Sequence, residues 1–448
     1  MPRLDPIIAH NTRVVAYYAD RVVYREDYVA HVAAVVSRLP DTAYVINLCD
    51  DRYHFQVGLT AAMEKKHINL LLPTRIPEFI NRIHRQYPDL YVLADAPCAF
   101  AGIPVLQIQQ LMVEGATDVA PLLAYPPDQV LAIAFTSGST GDPKPNVKTW
   151  ECLVEVAAMT GSRFQLPEYG QGGIVATVPP QHMYGLETSV MLPMQFGWGS
   201  YAGRPFFPQD VADALAAVPA PRVLITTPVH IRALTAEAPV LPKIEFMVSA
   251  TAPLSAQLAQ QAEAAFDTRV YEIFGFTEVG SAATRRTVDE QTWHLFDKIR
   301  LRRDGQSHVL DTPYIKNSLP VSDIIEAIDE QHFSLLGRDT DMVNIAGKRA
   351  SLGDLNARLL ALPGVVDGVF FNPDDKDEKV RRLAAFVVAP QLTVDNIIDA
   401  LRDMLDPAFM PRPVVLLDKL PRNATGKLPR SALLELVERY VVTKGKKS

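Results

Sequence analysis

The sequence predicts an α/β fold: a large N-terminal domain of doubly wound sheets with a short antiparallel β region, then a small α+β C-terminal domain. Three observations predict it. From residue 43 onward short apolar runs alternate with helix-length amphipathic segments, the pattern of βα units around a largely parallel sheet. Between residues 290 and 320 charged and apolar residues alternate (Ile299, Leu301, Val309, Leu310), as on half-exposed antiparallel strands. At 448 residues the chain exceeds what one hydrophobic core supports, so at least two domains are expected.

Taken in order, residues 14–24 suggest a strand pair, followed by a helix. Apolar 43–48, amphipathic 53–65, apolar 68–72, amphipathic 76–87 and apolar 90–93 form the first βα series. A strand over 130–135 and a helix over 151–159 flank a loop rich in Gly, Ser and Thr. The second series comprises strands at 173–178, 222–226, 244–249 and 269–274, with helices at 208–217, 231–236 and 255–266. After Gly337 a separate unit begins, with helix 352–361, strands 365–371 and 382–388, helix 394–405 and strand 414–417. The boundary is placed within 338–341. It divides the chain into 1–338 and 339–448, the latter roughly 110 residues and so of ordinary domain size.

Composition narrows the function classes. An apolar fraction of 48% with 21% charged residues is ordinary for a soluble globular chain. Thirty-five prolines, about 8% against a typical ~5%, imply many defined loops. No uncharged apolar run approaches the ~18 residues of a membrane span, and residues 1–13 lack a secretory hydrophobic region. Cys49, Cys98 and Cys152 are sparse, odd in number and without metal spacing, so a reducing, cytoplasmic setting is expected. A net charge of −7 argues against nucleic acid as a partner.

Residues 134–148 are the stretch the rest serves. The apolar strand breaks into Thr136, Ser137, Gly138, Ser139, Thr140 and Gly141, then Lys144. Glycines let the backbone bring its N–H groups against a ligand. Successive N–H groups beside hydroxyls form an anion-binding concavity, to which Lys144 adds a full positive charge. The pattern is neither Gly-x-x-x-x-Gly-Lys-[Ser/Thr], since Asp142-Pro143 follows the second glycine, nor Gly-x-Gly-x-x-Gly. A second segment, Tyr271-Glu-Ile-Phe274-Gly275-Phe-Thr277-Glu278, brings a strand into a turn that ends on a hydroxyl and a carboxylate. Those groups suit a phosphate oxygen and its Mg²⁺. A third, Leu420-Pro-Arg-Asn-Ala-Thr-Gly-Lys427-Leu-Pro-Arg430, places a lysine at a loop tip. Each segment alone would pass for an ordinary surface loop.

Together, residues 136–144, 274–278, Gly337-Arg338 and 423–427 resemble the successive motifs of the adenylate-forming superfamily. That superfamily includes acyl- and aryl-CoA synthetases, nonribosomal adenylation domains and firefly-type luciferases. The likeness spans residues from about 40 to 430, and its specificity lies in the ordered set. It implies a two-step reaction. A small-molecule carboxylic acid attacks the α-phosphate of ATP to give acyl-adenylate and pyrophosphate, and a thiol then takes the acyl group. The resemblance assigns residues 136–144 to the β- and γ-phosphates, Thr277 to the α-phosphate and Glu278 to Mg²⁺. Lys427 would bridge carboxylate and α-phosphate, arriving from the small domain only in the adenylating pose. Asp323 and Arg338 correspond to the ribose-binding aspartate and its arginine partner. His182 matches the position lining the carboxylate entrance, and Ala250 and Thr251 replace a glycine-rich turn against adenine and acyl group. Tyr184, Gly185 and Phe276 are further pocket candidates.

The pattern departs from the superfamily in places. Thr340, between Asp339 and Asp341, stands where Asp or Lys usually forms the hinge. Ser322, not glycine, precedes Asp323, and residues 285–320 are compressed. Trimmed surface elements and a narrower acceptor site are therefore expected. The expected activity is ligation of an aromatic or medium-chain acid to coenzyme A or to the phosphopantetheine of an acyl carrier protein. Arg381, Arg382, Arg412, Arg422 and Arg430 could face such a carrier. The competing expectation is a non-catalytic nucleotide-binding scaffold that keeps the fold.

Overall fold

Two short strands, β1 (Val14–Tyr17) and β2 (Val22–Tyr24), open the described chain and lead straight into α1 (Arg25–Val36). The computed structural model describes residues 13–113, 125–137, 143–305, 307–338, 342–345, 348–373, 383–423, 426 and 428–442. The first βα series follows as β3 (Tyr44–Asn47), α2 (Arg52–Glu64), β4 (Ile68–Leu71), α3 (Pro77–Gln86), β5 (Leu90–Ala94), β6 (Val105–Gln107) and α4 (Ile108–Leu111). Strand β7 (Val130–Ser137) enters the sheet parallel to β4, and β8 (Pro143–Thr149) returns antiparallel beside it. The resulting six-stranded order is β6-β5-β3-β4-β7-β8. Strand β8 carries Pro143 and Pro145, which conceal it in the sequence. It occupies the sheet edge, where missing N–H groups are tolerated.

Helix α5 (Trp150–Arg163) starts on Thr149, whose hydroxyl accepts from Cys152 N at 3.3 Å, a cap that fixes the helix directly behind β8. After α6 (Leu166–Tyr169) come β9 (Gly173–Ala176), α7 (Met183–Leu186), a π-helical turn over Glu187–Met191, α8 (Leu192–Phe196) and β10 (Gly199–Tyr201). The second series then runs α9 (Pro208–Ala217), β11 (Arg222–Thr226), α10 (Pro228–Glu237), β12 (Phe246–Ser249), α11 (Ala256–Phe266) and β13 (Arg269–Phe276). Strands β1, β10, β9, β11, β12 and β13 are successive parallel neighbours. The central strands β9, β11 and β12 are buried almost throughout on both faces, which explains their apolar runs.

Past β13 the sheet turns antiparallel through β14 (Gly280–Arg285) and β15 (Thr292–Leu295). Strands β16 (Arg300–Asp304), β17 (Ser307–Thr312) and β18 (Ile315–Pro320) make a separate three-stranded antiparallel sheet. Then β19 (Asp323–Ala327) and β20 (His332–Arg338) rejoin the large sheet at its edge. Its eleven strands run β19-β20-β15-β14-β13-β12-β11-β9-β10-β1-β2. The first two strands of the chain thus complete the second sheet, a long-range pairing that no local pattern announces.

The smaller C-terminal domain contains the β21 (Met342–Ile345) and β22 (Lys348–Ser351) hairpin, α12 (Leu352–Leu360), β23 (Asp367–Phe371), β24 (Ala384–Val388), α13 (Val394–Arg402), β25 (Val414–Leu416) and α14 (Arg430–Val437). Its three-stranded sheet, in the order β23-β24-β25, has apolar clusters on both faces. Phe370, Ala385 and Val387 pack with Leu359 and Ile397, whereas Phe371, Phe386 and Val388 pack with Leu433 and Val437. Period-two alternation on two-sided strands produces both clusters.

Candidate active site

The carboxyl ends of parallel strands are where an α/β sheet offers a ligand site. The predicted residues of the large sheet gather at those ends. His182 follows β9 and stands at the residue before α7. Thr251 follows β12, and Phe274 and Gly275 close β13 with Thr277 and Glu278 just beyond. Thr227, fully buried at the end of β11, joins them although the sequence had not singled it out. Thr251 is a non-glycine residue at φ 79°, a conformation that costs of order 1–3 kcal/mol and clusters at functional sites.

The turn after β13 is built by two glycines. A Cβ on Gly275 would lie 2.1 Å from Gly280 O, so no other residue lets β13 and β14 approach as they do. Gly280 adopts φ 86°, and a Cβ there would meet Glu187 Oε1 at 2.4 Å. Glu187, buried in the π-helical turn, accepts from Ser281 N at 2.9 Å and Ser281 Oγ at 2.6 Å. Burial pushes its carboxyl pKa up, tempered by the Ser281 bonds and the positive charge of Lys148. Tyr314 Oη donates to Val279 O at 3.1 Å.

The loop bearing His182 is braced from the first sheet. Arg52, the first residue of α2, is 1% exposed and donates to Val178 O (2.7 Å), Ala176 O (3.3 Å), Ser189 Oγ (2.9 Å), Gly203 O (3.1 Å) and Tyr201 O (3.3 Å). Burial lowers its guanidinium pKa to about 10. Gln181 Nε2 donates to Cys49 O, a second tie between the sheets. A Cβ on Gly185 would strike Pro179 O at 2.1 Å, which makes Gly185 a packing requirement of this loop. Tyr184 is a buried anchor whose hydroxyl donates to Val248 O at 2.8 Å.

Of the hydroxyl-rich stretch, the described residues lie on β7 and β8. Strand β7 continues past Phe135 through Thr136 and Ser137, and Thr136 pairs across from Lys144. Lys144 is exposed. Gly138, Ser139, Thr140 and Gly141 lie outside the described residues, as do Lys427 and Thr340. On β8, Lys148 is 1% exposed and its Nζ donates to Glu278 O at 2.7 Å. The hairpin and the Thr277–Glu278 turn, 130 residues apart in sequence, are thereby joined.

Asp323 and Arg338 come together as register partners on β19 and β20. Beside Lys427, Gly426 stands against the end of β11: a Cβ built there would be 3.6 Å from Thr227 Oγ1 and 3.4 Å from Val229 Cγ2. Arg422 braces this loop, donating to Gly426 O at 2.7 Å and, through Nε and Nη2, to both oxygens of Asp367 at 2.7 Å. Arg232 of α10 reaches the same Asp367 at 3.9 Å. Arg422 is therefore committed within the chain, and Arg430 lies over the Phe371 ring at 5.3 Å; Arg381 and Arg382 lie outside the described residues.

Among the described residues no group of three or more His, Cys, Asp or Glu side chains could hold a metal unaided. Mg²⁺ needs no such cage, since it takes one or two carboxylates and completes its shell with phosphates and water. Glu278, half-buried on a turn whose own carbonyl is tied down, fits that demand. Sequence reasoning missed Lys148, Arg52, Glu187 and Thr227. Only Lys148 left a signal: it shares parity with Lys144 on a strand, and so shares its face.

Residues 43–302 match the family model described as AMP-binding enzyme, and residues 355–427 match the AMP-binding enzyme C-terminal domain. A 4-coumarate–CoA ligase of Rhodobacter capsulatus is 30% identical over 245 residues, covering 54% of this chain and 61% of that protein. One from Halorhodospira halophila is 28% identical over 329 residues, covering 71% and 80%. In fold the chain is similar to ATP-bound MatB from Rhodopseudomonas palustris (TM-score 0.80, 18% identity, 96% and 97% covered). It is similarly close to the AMP complex of O-succinylbenzoate coenzyme A synthetase from Bacillus subtilis (TM-score 0.80, 17% identity, 94% and 95% covered).

Proposed function

Because the chain belongs to the AMP-binding enzyme family of the adenylate-forming superfamily, we propose that it activates a carboxylic acid with ATP and passes the acyl group to a thiol. The observation that carries this reading is the Lys148 bond, which ties the Glu278 turn to β8, the strand that also bears Lys144. The seating of Gly426 over Thr227 adds support, because it brings the neighbour of Lys427 to the strand ends where His182, Thr251 and Thr277 gather.

In this proposal the stretch from Thr136 to Lys144 holds the β- and γ-phosphates, and Thr277 contacts the α-phosphate. Glu278 would hold Mg²⁺, which supplies charge neutralisation on the departing pyrophosphate. Asp323 and Arg338 take the ribose, Thr251 and Phe274 border the adenylate, and His182 lines the entrance of the acid. The carboxylate oxygen attacks the α-phosphorus and the bond to the β-phosphate bridging oxygen breaks. Lys427 stabilises the charge that develops between carboxylate and α-phosphate. The protein's part is alignment and electrostatics, the main sources of catalysis when no covalent help is needed. We assign residues 1–338 to nucleotide and acid binding and 339–448 to the domain that delivers Lys427.

The substrate class we propose is an aromatic or medium-chain acid, an assignment supported by likeness to two relatives named for 4-coumarate and coenzyme A. The acceptor is a phosphopantetheine thiol, on an acyl carrier protein or on coenzyme A, in the cytoplasm. The test is carboxylate-dependent exchange of labelled pyrophosphate into ATP across an acid panel, followed by mass detection of thioester with each acceptor. Exchange with at least one acid is expected. No exchange with any acid would favour the nucleotide-binding scaffold instead.

A further inference from the structure

The turn that carries Thr277 and Glu278 is gripped by three buried side chains from three separate parts of the chain. Glu187 holds Ser281 from the π-helical turn, and Tyr314 holds Val279 O from the β17–β18 connection. Lys148 holds Glu278 O, the carbonyl of the proposed metal ligand itself. Only Lys148 comes from the hairpin. Strand β8 alternates faces, so Lys144, Asn146 and Lys148 lie on one side of it. Asn146 Nδ2 donates to Ala134 O at 3.3 Å and Lys144 O at 3.2 Å, which stiffens the stretch between the two lysines. A lysine 1% exposed is unusual, because ammonium groups stay in water unless something compensates. Here no carboxylate lies within 4 Å of Nζ among the described ion pairs. The ammonium is instead spent on a single backbone carbonyl, with Glu187 as a more distant counter-charge. A methionine in this place would pack as well without the desolvation cost, so packing does not account for the ammonium.

We propose that Lys148 is a positioning residue for adenylation: it locks the Glu278 turn to β8, so that the metal ligand keeps a fixed place relative to the strand that bears Lys144. The inference rests on the reading above, in which Glu278 binds Mg²⁺ and residues 136–144 bind the β- and γ-phosphates. Without the bond the turn keeps its Glu187 and Tyr314 anchors, yet Glu278 moves independently of the hairpin. Mg²⁺ must then be bound by a site whose two halves are no longer prearranged, and more of it is needed.

The experiment uses the full chain with α,β-methylene-ATP as the probe, which spares the need for the unidentified acid. Calorimetric titrations at a series of Mg²⁺ concentrations give the Mg²⁺ level at half-maximal nucleotide binding. Lys148→Met is expected to raise that level about tenfold, as suits loss of one charged hydrogen bond, with metal-free nucleotide binding within about twofold of wild type. Lys148→Arg, which keeps a donor, is expected to restore it to within about threefold. If Lys148→Met does not fold, Lys148→Gln is read the same way, with the same expected rise. An unchanged Mg²⁺ requirement in the folded variant overturns the proposal. Equal loss of binding with and without Mg²⁺ also overturns it, since that is the mark of a merely structural lysine. Glu278→Gln, titrated alongside, separates the two ideas: if that variant leaves the Mg²⁺ requirement unchanged, the metal assignment fails, whatever Lys148 does.

Discussion

Replacing Arg52 by Met tests how the two sheets are held around the site. The guanidinium is buried and all five of its acceptors are neutral: Val178 O at 2.7 Å, Ser189 Oγ at 2.9 Å, and three carbonyls at 3.1–3.3 Å. A hydrogen bond to a charged group contributes roughly 1.5–3 kcal/mol, so the two short bonds together account for about 3–6 kcal/mol. The three longer ones add about 1–2 kcal/mol between them, given their length. Against this, Met relieves the several kcal/mol it costs to keep a guanidinium out of water. The expected net loss is about 3 kcal/mol, read as a fall in the urea midpoint at unchanged slope. Because Val178 O lies just ahead of Pro179–His182, the folded variant should also show a raised KM for the acid in pyrophosphate exchange, with KM for ATP much less affected. A stability loss below about 1 kcal/mol, or an equal rise in both KM values, would refute the view that Arg52 braces the acid-side loop.

Three further predictions follow from single contacts. Gly275→Ala places a methyl 2.1 Å from Gly280 O, so adenylation should fall at least a hundredfold as the turn shifts; near-normal exchange would show that β13 and β14 can part without consequence. His230 is buried beside Arg204 and donates to or accepts from Thr227 Oγ1 at 2.9 Å; burial, then the Arg204 charge, holds its imidazole pKa down at about 4. The fold therefore favours neutral His230. Its contribution is complete above the unfolded value near 6.5 and is lost as pH falls toward 4, by at most about 3 kcal/mol. Urea midpoints at pH 7.5 and 4.5 should converge in His230→Gln by about 2 kcal/mol relative to wild type, and an identical acid sensitivity would contradict the assignment. Arg422→Met should loosen the Gly426 loop and slow adenylation about tenfold while leaving nucleotide binding intact, as measured by exchange and calorimetry; unaltered exchange would show that the brace is dispensable.

Much of this fold was legible because periodicity is local. Parallel strands such as Arg222–Thr226 stood out as apolar runs, and the helix–strand–strand–helix–strand order of the C-terminal domain followed from residues 352–417 alone. What escaped depends on distant partners. Strand β8 was hidden by Pro143 and Pro145, which only an edge position tolerates, and the pairing of β1 with β10 joins residues nearly 185 apart. The site divides the same way. Gly275, Thr277 and Glu278 carry a turn chemistry visible in one short segment, and Asp323 and Arg338 were found through a motif and then fell opposite each other in register. Lys148, Arg52 and Glu187 act on main-chain atoms far along the chain, and a lysine, an arginine or a glutamate bears no mark of the carbonyl or amide it will meet. Tyr184, a pocket candidate in the sequence, gives its hydroxyl to Val248 O.

The most direct measurement separates the two half-reactions in Lys427→Ala. With the best acid from the panel, pyrophosphate exchange is compared with thioester formation from supplied acyl-adenylate. The proposal that residues 136–144, the Glu278 turn and Lys427 meet on one triphosphate predicts that exchange falls by several hundredfold while transfer stays within about threefold of wild type. Equal losses in both steps, or an exchange rate that survives the substitution, would contradict it.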